Sequence, residues 1–305
     1  MKIGFFGPDY KMGVVKGDNI VDVSSVAKEY GTRPQDQIAG VIENWSSAKG
    51  KLEAAANASA GVPISSVKIQ APNPKPTRVV CMAVNYNDGM ASSRGADAFH
   101  KSPDAVIGDG DTMELGDIPA TVFEGEAELA VVIGKKGRNV SPADAMNYVF
   151  GYTNFIDGSA RGMPVPGFFS MKSRATYAPI GPFITTADEI ADPNKLQVRL
   201  WNNEKLMQDY NTEDMLVKIP EAIEFVTKAF EMEPGDILAM GTNHRGLHPF
   251  MDGAKVEIET EGLGRLHITV KDDLKRTWPL ETRFERKSRG EESQMPAQAT
   301  GKYAK

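Results

Sequence analysis

The stretch Phe123-Glu124-Gly125-Glu126-Ala127-Glu128-Leu129-Ala130-Val131-Val132-Ile133 drives three acids directly into a strand-forming apolar run. Side chains alternate along a strand, so Glu124, Glu126 and Glu128 share one face while Leu129, Val131 and Ile133 share the other. Three like charges on one face repel. Either solvent at the start of an exposed strand relieves that repulsion, or a divalent cation does, since magnesium and manganese prefer carboxylate oxygens.

Outward from this run, short apolar segments alternate with turns. Arg78 to Val84 reads as a strand buried on both faces. Further strands are predicted at Leu129 to Ile133, Gln197 to Trp201, Ile237 to Met240, Val256 to Thr260 and Leu266 to Val270. Helical signals are fewer. Ser141-Pro142-Ala143-Asp144 offers an N-cap, a first-turn proline and an acid at the positive end of the dipole, and Pro220 opens a second helix running to about Phe230. Many strands with few helices predict a β-rich α+β fold rather than a doubly wound one.

Residues 1–72 carry a hairpin pattern over Gly13 to Val23, then weakly helical segments, and read as a small N-terminal domain. Ala71-Pro72-Asn73-Pro74-Lys75-Pro76 fixes several φ angles and removes amide donors, so it reads as a linker into a catalytic domain over 73–283. Residues 284–305 are polar and poor in apolar side chains, the composition of a mobile tail.

Composition excludes several classes. Of 305 residues, 41% are hydrophobic and 25% charged, as in ordinary globular proteins. A net charge of -6 offers no positive field for nucleic acid or an anionic membrane. The single cysteine, Cys81, forms no internal disulfide, builds no cysteine zinc site and reads as a buried small hydrophobe. The N-terminus lacks the apolar core of a secretory signal, and no run is long enough to span a bilayer, which predicts a cytoplasmic protein.

The run Glu126-Ala127-Glu128-Leu129-Ala130-Val131-Val132-Ile133-Gly134 resembles the metal-binding strand of the fumarylacetoacetate hydrolase family. The resemblance continues through Tyr148-Val149-Phe150-Gly151-Tyr152-Thr153, Asp157-Gly158-Ser159-Ala160-Arg161, and Lys172 with Ala178-Pro179-Ile180-Gly181-Pro182. It extends to Glu233-Pro234-Gly235-Asp236 with Gly241-Thr242, and to Val256-Glu257-Ile258-Glu259 with Glu261-Gly262-Leu263-Gly264-Arg265-Leu266. These segments fall in the right order over residues 77 to 272, far more specific than one short motif.

The resemblance implies a twisted β-sheet roll, usually in a homodimer, with a small N-terminal domain. It implies that Glu126, Glu128 and Asp157 ligate Mg2+ or Mn2+, with Ca2+ as a third candidate. It makes Lys172 the lysine that contacts substrate or its developing oxyanion, against the plain reading of a surface lysine, and Thr242 the substrate-binding threonine. Tyr86 and Arg161 join the substrate side, although Arg161 equally suits an anchor for the Asp157 loop. The implied partner is a small carboxylate, with no nucleic acid and no membrane.

One departure bears on chemistry. Hydrolytic members carry a His-x-x-Glu dyad after an Asn-Tyr-x-Asp segment; here Asn85-Tyr86-Asn87-Asp88 is succeeded by Gly89 and Ser92 at the dyad positions. Glycine cannot take a proton. Decarboxylation, enol-keto isomerisation and retro-aldol cleavage of a 2-oxo or β-dicarbonyl acid need only an enolate and no activated water, so lyase or isomerase action leads. Hydrolysis of an acylpyruvate-type bond is the alternative, with His244 as base and Arg245 gripping a second carboxylate. A catalytically inactive metabolite-binding or structural homologue is the third reading. His100 and His267 read as structural.

Overall fold

The computed structural model describes residues 1–89 and 95–304. Its centre is the Val122–Ile133 strand, all twelve residues buried, paired antiparallel over its whole length with Val149–Arg161. The apolar pattern predicts a strand only from Leu129; the acids before it continue the same strand. Val149–Arg161 and Ala178–Thr186 are strands that the sequence pattern does not announce, because Gly151, Asp157, Gly158 and Ser159 interrupt the first and prolines the second.

From one edge, the large sheet begins with the N-terminal strands, of which Lys2–Phe6 joins Ala178–Thr186. Next come Val149–Arg161, Val122–Ile133, Ile237–Ala239, Val79–Met82 and Ala98–Lys101. Ala98–Lys101 therefore stands four places from Val149–Arg161. At the usual strand spacing a flat sheet would separate them by roughly 19 Å, further than a lysine side chain extends. Yet Lys101 Nζ donates to Asp157 Oδ1. The sheet curls into a roll, and the even-numbered acids lie on its inner face.

The opposite face of Val122–Ile133 packs Phe123, Ala127, Leu129, Val131 and Ile133 against a five-stranded second sheet, including Val198, Leu200, Val256, Ile258, Leu266 and Ile268. Beyond Glu128 the inner face turns apolar. Ala130 and Val132 share a core with Ile3, Phe5, Ile38, Val41 and Leu52, so residues 1–72 are joined to the rest of the chain by both sheet and core. Lys11–Lys16 and Asn19–Asp22 form the expected hairpin, closed by Gly17 at φ 60 and Asp18. Helices Pro34–Glu43 and Trp45–Asn57 complete this end.

Ser141 caps the short Pro142–Ala145 helix, and Ile219–Ala229 carries Pro220 in its first turn, as the sequence predicts. The segment whose composition reads as a mobile tail carries local structure. Arg283–Ser288 is a helix with a Thr282/Glu285 capping box, Thr277 bridges Thr300, and Lys302 pairs with Asp117 at 2.7 Å. Polar interactions, which a count of apolar residues ignores, tie it down. Among the described residues no helix is long and apolar enough to cross a membrane.

Candidate metal centre

Strand register builds the centre. Glu126 stands directly opposite Asp157, and Glu128 opposite Phe155, one same-face pair further along. All three acids are buried, and one oxygen from each lies within 4.8 Å of the others. Gly125 between the first two glutamates is needed on the opposite face, where a Cβ would fall 2.3 Å from the Phe250 ring.

Cations surround two of the three. Lys172, at the end of the short Phe168–Lys172 helix, donates to Glu126 Oε1 at 2.7 Å and also to Asp157 Oδ2. Lys101 donates to Asp157 Oδ1 and to the Gly158 carbonyl at 3.1 Å. Arg161 donates to Glu126 Oε1 and, through Nε, to Glu124 Oε2 at 3.1 Å. Burial opposes charge on Glu126, but Lys172, Arg161 and His244 outweigh it and hold the carboxyl well below its usual range. Burial likewise opposes charge on Lys172, and Asp157 with Glu126 outweighs it, so the lysine stays protonated.

Glu128 differs. Its hydrogen bond comes from the Gly241 amide, 2.8 Å from Oε2, and no lysine or arginine among the described residues pairs with it. Burial first, then Asp157 and Glu126, push its carboxyl far above the ordinary value. A buried acid beside two others and lacking a cationic partner is an arrangement that a divalent ion resolves, and an all-oxygen donor set suits Mg2+ or Mn2+. The residues present fit such an ion.

The rim is held by the segment after Ile237–Ala239. Gly241 adopts φ +80, and a Cβ there would lie 2.9 Å from that of Asn85. Buried Thr242 accepts from Gln208 Nε2 at 2.9 Å, while Gln208 Oε1 accepts from the Ala127 amide and Tyr210 donates to the Ala127 carbonyl. His244 is buried, with its amide 2.6 Å and its Nδ1 2.7 Å from Asp88 Oδ2. Tyr86 is buried edge-on to Tyr210, ring centroids 5.0 Å apart.

The family model described as fumarylacetoacetate (FAA) hydrolase C-terminal matches residues 78–271. The chain belongs to the fumarylacetoacetate hydrolase family. Among the family's proteins, the oxaloacetate tautomerase YisK of Bacillus subtilis is 32% identical over 270 residues, covering 83% of each chain. A maleylpyruvate hydrolase of Aquipseudomonas alcaligenes is 29% identical over 291 residues, covering 89% of this chain and 99% of that one. The solved structure of a maleylpyruvate hydrolase from Sphingobium sp. SYK-6, in complex with manganese(II) and pyruvate, is 32% identical. It matches with a TM-score of 0.81 over 89% of this chain and 99% of that one.

Of the residues singled out from sequence, the roll brings Glu126, Glu128, Asp157, Lys172 and Arg161 together, with Thr242 linked to their strand through Gln208. Glu124 and Arg245 have partners outside the trio. Glu124 shares the acidic face, but its oxygens go to Arg283 and Arg161 rather than to the trio. Arg245 is exposed, its guanidinium 4.2 Å from the Phe284 ring, on a cavity of about 400 Å³ lined also by Gln208, Tyr210 and Asn243. The turn that buries His244 leaves the next side chain exposed.

Gly89 is described; Ser92 lies outside the described residues. His100 faces away from the site towards Phe230, and His267 pairs with Asp109 at the surface. Cys81 is buried, and burial raises its thiol pKa. Sequence reasoning misses Lys101, Gln208, Asp88 as the partner of His244, and Arg283. Alternation in Phe99-His100-Lys101 is the available signal for Lys101: a strand that buries Phe99 buries Lys101 too.

Proposed function

We propose that this enzyme binds one divalent cation on Glu126, Glu128 and Asp157 and moves a proton on a small 2-oxo acid through its enolate. Keto-enol isomerisation of an oxaloacetate-like diacid is the leading reaction, with decarboxylation in the same class. The observation that carries this reading is Glu128, a buried carboxylate without a lysine or arginine partner among the described residues, beside two that have them. Mg2+ or Mn2+, with Ca2+ as a third candidate, would act there as a Lewis acid on a chelating 2-oxo acid.

Each residue then has a task. Lys172, kept charged by Asp157 and Glu126, offers N–H donors to the oxygen on which negative charge develops. Asp88 accepts the Nδ1 proton of His244, which leaves the Nε2 lone pair to take and return the proton at the carbon beside the keto group. Thr242, fixed by Gln208, binds a substrate carboxylate. Arg161 anchors Glu126 rather than contacting substrate. Tyr86, packed edge-on against Tyr210, belongs to the substrate side of the site.

Hydrolysis of an acylpyruvate-type bond is the second reading, favoured by the same Asp88–His244 pair, which has the form of a carboxylate-oriented base. A homodimer in the cytoplasm belongs to the proposal, and light scattering checks the assembly. The deciding experiment supplies the enol of oxaloacetate and, separately, an acylpyruvate, with and without chelator. Enol absorbance and product masses are monitored. Metal-dependent loss of the enol without mass change supports isomerisation; addition of the mass of one water across a cleaved bond supports hydrolysis; neither activity overturns both.

A further inference from the structure

Arg283 lies beyond the residues matched by the family model, at the border of the segment whose composition predicts a mobile tail. It reaches back to the carboxylate strand. Its Nε is 3.0 Å from Glu124 Oε1 and its Nη2 2.5 Å from Glu124 Oε2, and Arg161 Nε shares the latter oxygen at 3.1 Å. Arg161 in turn donates to Glu126 Oε1. Glu124 is fully buried, so its charge must be met by these two arginines.

The same helix touches two further parts of the site. The Phe284 ring lies 4.2 Å from the Arg245 guanidinium, next to His244, and the Arg283 amide donates to the Leu247 carbonyl at 2.8 Å. Lys287 Nζ is 2.5 Å from the carbonyl of Gly89, the residue after Asp88. The helix contacts thus fall on the metal strand, the histidine turn and the segment carrying its aspartate.

We infer that the Arg283–Ser288 helix is a clamp belonging to the active site, with Arg283 a positioning residue that holds Glu126 in its ligating orientation through Glu124 and Arg161. Without Arg283, Arg161 is the sole counter-charge of Glu124 among the described residues and is drawn onto it with both nitrogens. Glu126 then loses one of the donors that orient it. Geometry and charge predict opposite effects here. Deleting a positive charge beside a cation site would by itself tighten cation binding, whereas loss of orientation weakens it.

The test is a Mn2+ titration, by electron paramagnetic resonance, of the full-length wild type, Arg283→Gln, Arg283→Lys and the double variant Glu124→Gln/Arg283→Gln, together with amide hydrogen exchange. The expected result is about tenfold weaker Mn2+ binding in Arg283→Gln, recovery to within about threefold in Arg283→Lys, and faster exchange over residues 243–248. Unchanged or tighter binding in Arg283→Gln, with only a lower melting temperature, overturns the clamp. If Arg283→Gln does not fold, the double variant takes its place: with Glu124 neutral, Arg161 is not drawn off Glu126, so Mn2+ binding within about threefold of wild type together with faster exchange over 243–248 supports the clamp, and tenfold weaker binding or unchanged exchange overturns it. The clamp rests on the metal reading above only through the titration. Should the wild type itself bind no Mn2+, that reading fails, and exchange over 243–248 alone decides the clamp: faster in the variant supports it, unchanged overturns it.

Discussion

Asp88 Oδ2 accepts from both the backbone amide and the ring Nδ1 of His244, at 2.6 and 2.7 Å. One carboxylate oxygen therefore fixes where the imidazole stands and which nitrogen carries the proton. If the ring moves a proton in catalysis, His244→Gln lowers kcat by roughly 10² to 10⁴, the usual range for a positioned base. Asp88→Asn, which loses the charge but keeps the contact, lowers it less and leaves Mn2+ binding unchanged. Near wild-type turnover in His244→Gln removes this histidine from the mechanism.

Glu128 gives a prediction in which stability and function move oppositely. Its folded-state pKa is raised by burial, then by Asp157 and Glu126, so in metal-free protein its protonated form favours folding at pH below about 4.5. That contribution is lost as the pH rises towards its folded value. Metal-free Glu128→Gln should therefore melt above metal-free wild type at about pH 8, with the gap closing near pH 5. Saturating Mn2+ reverses the order, since a ligand at about 100 times its Kd adds about 2.7 kcal/mol to wild type alone. Parallel melting curves for the two proteins at both pH values, with or without metal, contradict this.

Lys101 and Lys172 share Asp157 but not the same role. Lys172→Met removes a donor aimed at both Glu126 and Asp157 and should cost about 10² to 10³ in kcat. Lys101→Met leaves Asp157 buried with one cation fewer, so its effect falls on the fold, roughly 3 to 5 kcal/mol by denaturant unfolding. Wild-type kcat in folded Lys172→Met, or a loss of kcat in Lys101→Met as large as in Lys172→Met, would remove the distinction.

His248 is buried, Nδ1 lies 3.0 Å from the Gly246 carbonyl and Nε2 has no partner among the described residues. Burial pushes its pKa down to about 4. The folded value lies below the unfolded one, so the neutral ring stabilises the fold fully above about pH 6.5, and this is lost as pH falls towards 4. The linkage amounts to about 3 kcal/mol. Wild type should lose that much more stability than His248→Gln between about pH 7 and pH 4 in urea unfolding; equal losses would falsify the assignment.

The trio is legible because Glu-x-Glu places two acids on one strand face, and because Asp157 sits in a segment whose resemblance spans the domain. Lys101 is not, since nothing in Phe99-His100-Lys101 says that the sheet curls far enough for an edge strand to reach Asp157. Glu124 obeys the same alternation as Glu126, and only its arginine partners, one of them 159 residues away, distinguish it. Arg245 looks like a substrate residue by its place beside His244. A 3-10 turn over His244–Gly246 sends the two side chains to opposite environments, a geometry that residue types do not announce. Arg283 is hidden by averaging: a polar segment can be held by a few specific ion pairs.

The central claim is that Glu126, Glu128 and Asp157 converge on one divalent cation. The most direct measurement is an anomalous difference map from a crystal soaked in Mn2+. We predict a single peak per chain between the three carboxylates, absent in Glu128→Gln. A peak elsewhere, or none at the trio while Lys101 and Lys172 keep their hold on Asp157, would contradict the account.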